Sequence, residues 1–120
     1  MIENFEEITE ELSEEEKKLI PILIKGFLAH NKNNPIKSKD ICEAINNKRV
    51  LYGLKRQFNG VRLRKITNYI RSNGILPLIA TSDGYYTSND TSEIKKQIES
   101  LKQRANAILN SATGLEIFIN

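Results

Sequence analysis

Within ten residues the chain sets Arg62, Arg64, Lys65, Asn68 and Arg71, with no acidic residue among them. Arginine pairs bidentately with guanine edges and asparagine with adenine, while lysine and arginine both neutralise phosphates. Lys48, Arg49, Lys55 and Arg56 extend the same sign upstream. The segment 44–82 therefore holds eight cations and no anion, although the net charge of the 120-residue chain is only +3. Such a segment creates a positive field whatever the total charge. Residues 1–16 are the mirror case, with Glu3, Glu6, Glu7, Glu10, Glu11, Glu14, Glu15 and Glu16 and no basic residue. The cationic segment is open to two readings: a surface for a polyanion, or a solvated face partly neutralised by the acidic start.

Other chemistries find little support. His30, the only histidine, falls near a helix C-terminus, where positive charge is welcome. Cys42 lies on the apolar side of a short helix and reads as a small core residue. No Cys/His cluster has metal-ligand spacing, and there is no glycine-rich phosphate loop. The glutamates lie on an unpatterned leader and a helix end, which argues against a paired-carboxylate active site. The expectation is a protein that is not an enzyme, with no catalytic residue, metal or cofactor. One cysteine cannot form an internal disulfide, and the longest apolar run, Leu19–Ala29, is interrupted by Pro21 and Lys25. A cytoplasmic protein, not a membrane one, is expected.

The elements that must position these residues follow from periodicity and caps. After an acidic leader, 1–12, expected to be mobile, Ser13 and Glu16 have the spacing of a capping box. Leu19, Ile20, Leu23, Ile24, Phe27 and Leu28 then recur at helical spacing. Pro21 predicts a kink, or a helix that restarts there. Ser38 suits the cap of a short second helix that buries Ile41, Cys42 and Ile45. The segment Lys48–Phe58 has no clear pattern beyond a helical turn. Asn59 caps a third helix, Val61–Asn73, and Gly74 ends it. Ser82-Asp83-Gly84 between β-prone runs signals a hairpin. One of Tyr85 and Tyr86 should be buried and the other exposed.

A last helix from Asp90-Thr91-Ser92-Glu93 is expected to reach about Ala112. Ile94, Ile98, Leu101, Ala105 and Ile108 recur on it at steps of four and three. That narrow stripe serves either packing on the domain or a homodimer. The apolar tail Leu115–Ile119 suits a short strand or a docking segment. The fold class is thus mainly α with a small β-hairpin. Three helices and a hairpin, 13–90, form a winged helix-turn-helix, and a long C-terminal helix, 91–120, follows.

In that architecture the third helix enters the major groove, which is about 12 Å wide and admits one helix. At about 100° per residue, Leu63, Ile66, Thr67 and Ile70 share one face of it. Val61, Lys65, Asn68 and Ser72 lie opposite, flanked by Arg64 and Arg71 on one side and by Arg62 and Tyr69 on the other.

The segments LSEEEKKLIPILIKGF, IKSKDI, NGVRLRKITNYIRSNG, LIATSDGYYTS and SLKQRANAIL resemble small winged helix-turn-helix proteins of bacteriophages and prophages. The resemblance spans roughly 12–109. It implies a winged-helix fold and double-stranded DNA binding, in transcription regulation or replication. It also implies that Arg62, Arg64, Lys65, Asn68 and Arg71 occupy the recognition helix, with Ser82, Asp83 and Gly84 at the wing tip. The chain departs from the family in a long Lys48–Phe58, whose Lys48, Arg49, Lys55 and Arg56 are candidates for further phosphate contacts. The same scaffold can instead serve as a protein-interaction adaptor, assembled through the last helix.

Overall fold

A computed structural model describes residues 11–119. Most of the acidic leader, 1–10, lies outside the described residues. Four helices and one two-stranded antiparallel hairpin follow in the order α1 Glu14–Leu28, α2 Ser38–Asn47, α3 Gly60–Ser72, β1 Leu78–Thr81, β2 Gly84–Thr87 and α4 Thr91–Glu116.

The capping box forms with both arms. The Glu16 amide donates to Ser13 Oγ at 3.2 Å, and the Ser13 amide donates to Glu16 Oε1 at 2.9 Å. The helix runs unbroken through Pro21, so the expected restart does not occur. Ser38 is the first residue of α2 and not its cap; Lys37 holds the cap position without a side-chain bond. Asn59 caps α3 by accepting from the Arg62 amide at 2.9 Å. Gly74, at φ 61°, closes the helix as the left-handed residue of a Schellman turn.

Leu19, Leu23 and Phe27 of α1, Ile41 and Ile45 of α2, and Leu63, Ile66 and Ile70 of α3 meet in one core, which Leu54, Phe58 and Leu78 complete. The 3.6-residue period of each helix puts these side chains on one stripe, and burying the stripes together orients the three helices.

The hairpin pairs Leu78 with Thr87 and Thr81 with Gly84, leaving Ser82-Asp83 as a two-residue turn. A third strand-like residue joins it, because Ile36 and Tyr85 exchange backbone bonds of 2.9 and 2.8 Å. That pairing corrects the reading of Gly84 as a tip residue. Gly84 has φ 128°, and a Cβ on it would stand 2.5 Å from the Ile36 carbonyl oxygen. Its role is to let two backbones touch. Tyr86 is buried and Tyr85 half-buried, with the Tyr85 ring centroid 5.7 Å from that of Phe27. Neither ring is free, contrary to expectation.

Helix α4 is capped by Asp90 and packs its first half against β1, where the Ala80 amide donates to Gln97 Oε1. It extends one turn beyond the expected end, and residues 115–116 are helical and not a strand. Among the described residues no helix is long and apolar enough to cross a membrane, and no cluster of His, Cys, Asp or Glu could hold a metal.

Candidate nucleic-acid interface

The cations of 44–82 divide into two groups, and the division corrects the expectation for α3. Arg62 is buried, not exposed. Its Nε donates to Glu16 Oε2 and its Nη2 to Glu15 Oε1, both at 2.9 Å. Arg62 Nη1 reaches the carbonyl of Arg56 at 3.3 Å, and the guanidinium carbon lies 5.9 Å from the centroid of the Phe58 ring. The physical reason is position: Arg62 flanks the core face, directly under the N-terminus of α1. Lys65 is also drawn in, with Nζ 2.8 Å from Glu16 Oε1 and only 12% of its side chain exposed.

Arg71 is a third correction. Its Nε donates to the Leu78 carbonyl at 3.0 Å, and its Nη2 is buried with no hydrogen-bond partner. Burial pulls its pKa below the ordinary arginine value. This side chain lies under the hairpin.

Glu16 holds the first group together. Burial alone would push its carboxyl pKa up. The Lys65 ammonium, the Ser13 amide and Arg62 outweigh burial and hold it down at about 2. Glu15 is lowered as well, by the Lys55 amide at 2.8 Å and then by Arg62. Burial would lower the Arg62 pKa, but Glu16 and Glu15 raise it above the usual range. The acidic start therefore neutralises specific cations through contact, and the same contacts pin the backbone of 55–56 to α1.

The second group is open. Lys48, Arg49, Lys55 and Arg56 are exposed, and Arg64 is half-buried. None of the five has an ion-pair partner among the described residues. Asn68, Tyr69 and Ser72 are exposed on α3. Arg56, Asn59, Val61 and Lys65 line one open concavity of about 450 Å³ at the start of α3. The hairpin tip, Ser82-Asp83, is exposed but carries an acidic residue and no cation.

Neutralisation by the acidic start was one reading of the sequence, but the pairs of Glu15 and Glu16 with Arg62 and Lys65 were not foreseen. The capping box revealed that Glu16 turns back on Ser13, but not that it meets a side chain 46 positions away. Sequence reasoning also missed Asn46, whose side chain accepts from the Phe58 amide and donates to the Phe58 carbonyl, at 2.8 and 2.9 Å, and so clamps the base of the α2–α3 turn. Cys42 is half-buried, and burial raises its thiol pKa, so it is not an activated nucleophile. Comparison with known protein families, characterised proteins and solved structures finds no match to this chain.

The network makes stability pH-dependent with a definite sign. The folded pKa of Glu16 is depressed, so its contribution is complete above the ordinary 4.5 and is lost as pH falls through that value to about 2. At neutral pH it is worth roughly 3 kcal/mol. Urea titrations across that window should show the loss. Glu16→Gln should remove it and cost roughly 3 kcal/mol at neutral pH, because Arg62 and Lys65 lose a buried counter-charge. An unchanged acid slope in Glu16→Gln would contradict the assignment.

Proposed function

We propose that the chain binds double-stranded DNA through a winged-helix scaffold. The observation that carries the reading is the second group: Lys48, Arg49, Lys55, Arg56 and Arg64, which have no ion-pair partner among the described residues, together with exposed Asn68 on α3. Five cations on α3 and the turn before it attract phosphates, and Asn68 and Arg64 can reach base edges. The element order supports the scaffold, as does the Ile36–Tyr85 pairing, which ties the α1–α2 connection to the hairpin. The interface differs from the one expected from α3 alone. Phosphate contacts come mainly from the α2–α3 turn, while Arg62, Lys65 and Arg71 hold the fold. The resemblance to phage and prophage winged-helix proteins implies a role in regulation or replication of a mobile element.

Duplex binding should weaken steeply with salt. Replacing Arg56 and Arg64 together by alanine should lower the slope of log affinity against log salt by about 2, one per phosphate contact, without lowering thermal stability. Equal binding by the variant, or no duplex binding by the parent at low salt, would sink the proposal.

A second reading concerns assembly, and α4 favours it. Ile94, Leu101 and Ile108 are half-buried, while Ile98 and Ala105 are exposed. Beyond them Leu109, Leu115, Ile117, Phe118 and Ile119 are 62–84% exposed. That end contains Asn106, Asn110, Ser111, Thr113 and Gly114, all poor helix formers, and an isolated helix of such composition is unstable in water. A second copy of the chain, paired along α4, would cover it. Sedimentation of the full chain should then show a dimer that Leu109→Asp with Leu115→Asp dissociates; a monomeric parent at high concentration would refute the pairing.

A further inference from the structure

The turn between α2 and α3 carries two large apolar side chains that no described residue covers: Val50 is 95% exposed and Leu51 77%. The exposure is built in. The Tyr52 amide donates to the Lys48 carbonyl, the Gly53 amide to Val50 and the Leu54 amide to Arg49, at 3.0–3.1 Å. Gly53, at φ 69°, supplies the left-handed residue that closes this Schellman turn. Leu54 and Phe58 are buried beneath it. The pair is therefore held outward on an ordered, anchored turn.

The charged residues that flank the pair in sequence are all cations, while Glu15 of α1 reaches the same turn through the Lys55 amide at 2.8 Å. Lys48 and Arg49 precede the pair and Lys55 and Arg56 follow it, every one exposed. An apolar tip ringed by cations fits a partner with an anionic rim and an apolar interior. A nucleic-acid duplex has this make-up, with phosphates flanking stacked bases; an anionic lipid surface shares it. Continuity with α3 favours the duplex. Arg56 lines one concavity with Glu16, Asn59, Val61, Arg62 and Lys65, so the turn adjoins the start of α3.

We propose that Val50 and Leu51 form a wedge that enters a groove of the duplex and partly unstacks one base step, kinking the DNA. The four flanking cations hold the phosphates on either side. Apolar side chains used in this way kink duplexes by about 20–90°. The proposal rests on the DNA-binding reading and adds a deformation to it.

The test uses the full chain and a short random-sequence duplex carrying 2-aminopurine, with a fluorescent donor and acceptor at its ends. Binding of the parent should raise 2-aminopurine emission and bring the ends together. Val50→Ser with Leu51→Ser should abolish both signals and leave the salt slope and the circular dichroism spectrum unchanged, since both side chains are exposed. If both signals persist in the variant, or the parent binds without either, the wedge is wrong and DNA binding stands. If the parent ignores duplex at low salt but binds phosphatidylserine vesicles in a manner that the double substitution abolishes, both readings fall and the tip is a lipid anchor.

Discussion

The arrangement of the cationic surface depends on one buried carboxylate. Glu16 accepts from the Ser13 amide, from Arg62 and from Lys65, and so joins the first turn of α1 to the first half of α3. Glu15 adds the Lys55 amide and a second arm of Arg62. Arg62 in turn holds the carbonyl of Arg56. A buried ion pair of this kind gives little net stability over an apolar replacement, but breaking it by removing one partner is costly. It does fix geometry, because a charge buried here has only a few arrangements that satisfy it. The α2–α3 turn sits where it does because its backbone is a ligand of this network.

Two functions are thereby separated among residues of the same type. Arg62, Lys65 and Arg71 spend their charge inside the molecule, on carboxylates or a carbonyl. Lys48, Arg49, Lys55, Arg56 and Arg64 make no ion pair among the described residues. Composition counts the two groups alike, so a local excess of eight cations overstates the field that a ligand meets. The free group lies mostly on a turn, and the turn is rigid: the Gly53 closure, the Asn46 clamp and buried Leu54 and Phe58 hold it. Presenting charges on a rigid turn avoids the ordering cost that a mobile loop would meet on binding.

The parts of the fold legible in the sequence are those set by neighbours along the chain. Ser13 with Glu16, Asn59 before α3, Gly74 after it and Asp90 before α4 are local hydrogen-bond devices, and the structure contains each of them. The core stripe of α3 was equally readable from its period. The parts that were not legible depend on residues far apart in sequence. On a helical projection Arg62 lies at the boundary between core and solvent faces, and only the approach of α1 decides which side it joins. Arg71 is decided in the same way by the hairpin. Gly84 looked like a turn residue because Asp-Gly signals a turn; the tight approach of Ile36, which requires a glycine, leaves no local trace. The last turn, 113–116, was not read as helical because Thr113 and Gly114 are weak helix formers.

Lysine-selective acylation of the full chain, mapped with and without duplex DNA, tests the division of the cations most directly. Lys48 and Lys55 should react in the free protein and be protected by the duplex, while Lys65, paired to Glu16, should be nearly inert in both states. A Lys65 that reacts freely and becomes protected, with Lys48 and Lys55 indifferent to DNA, would contradict the account.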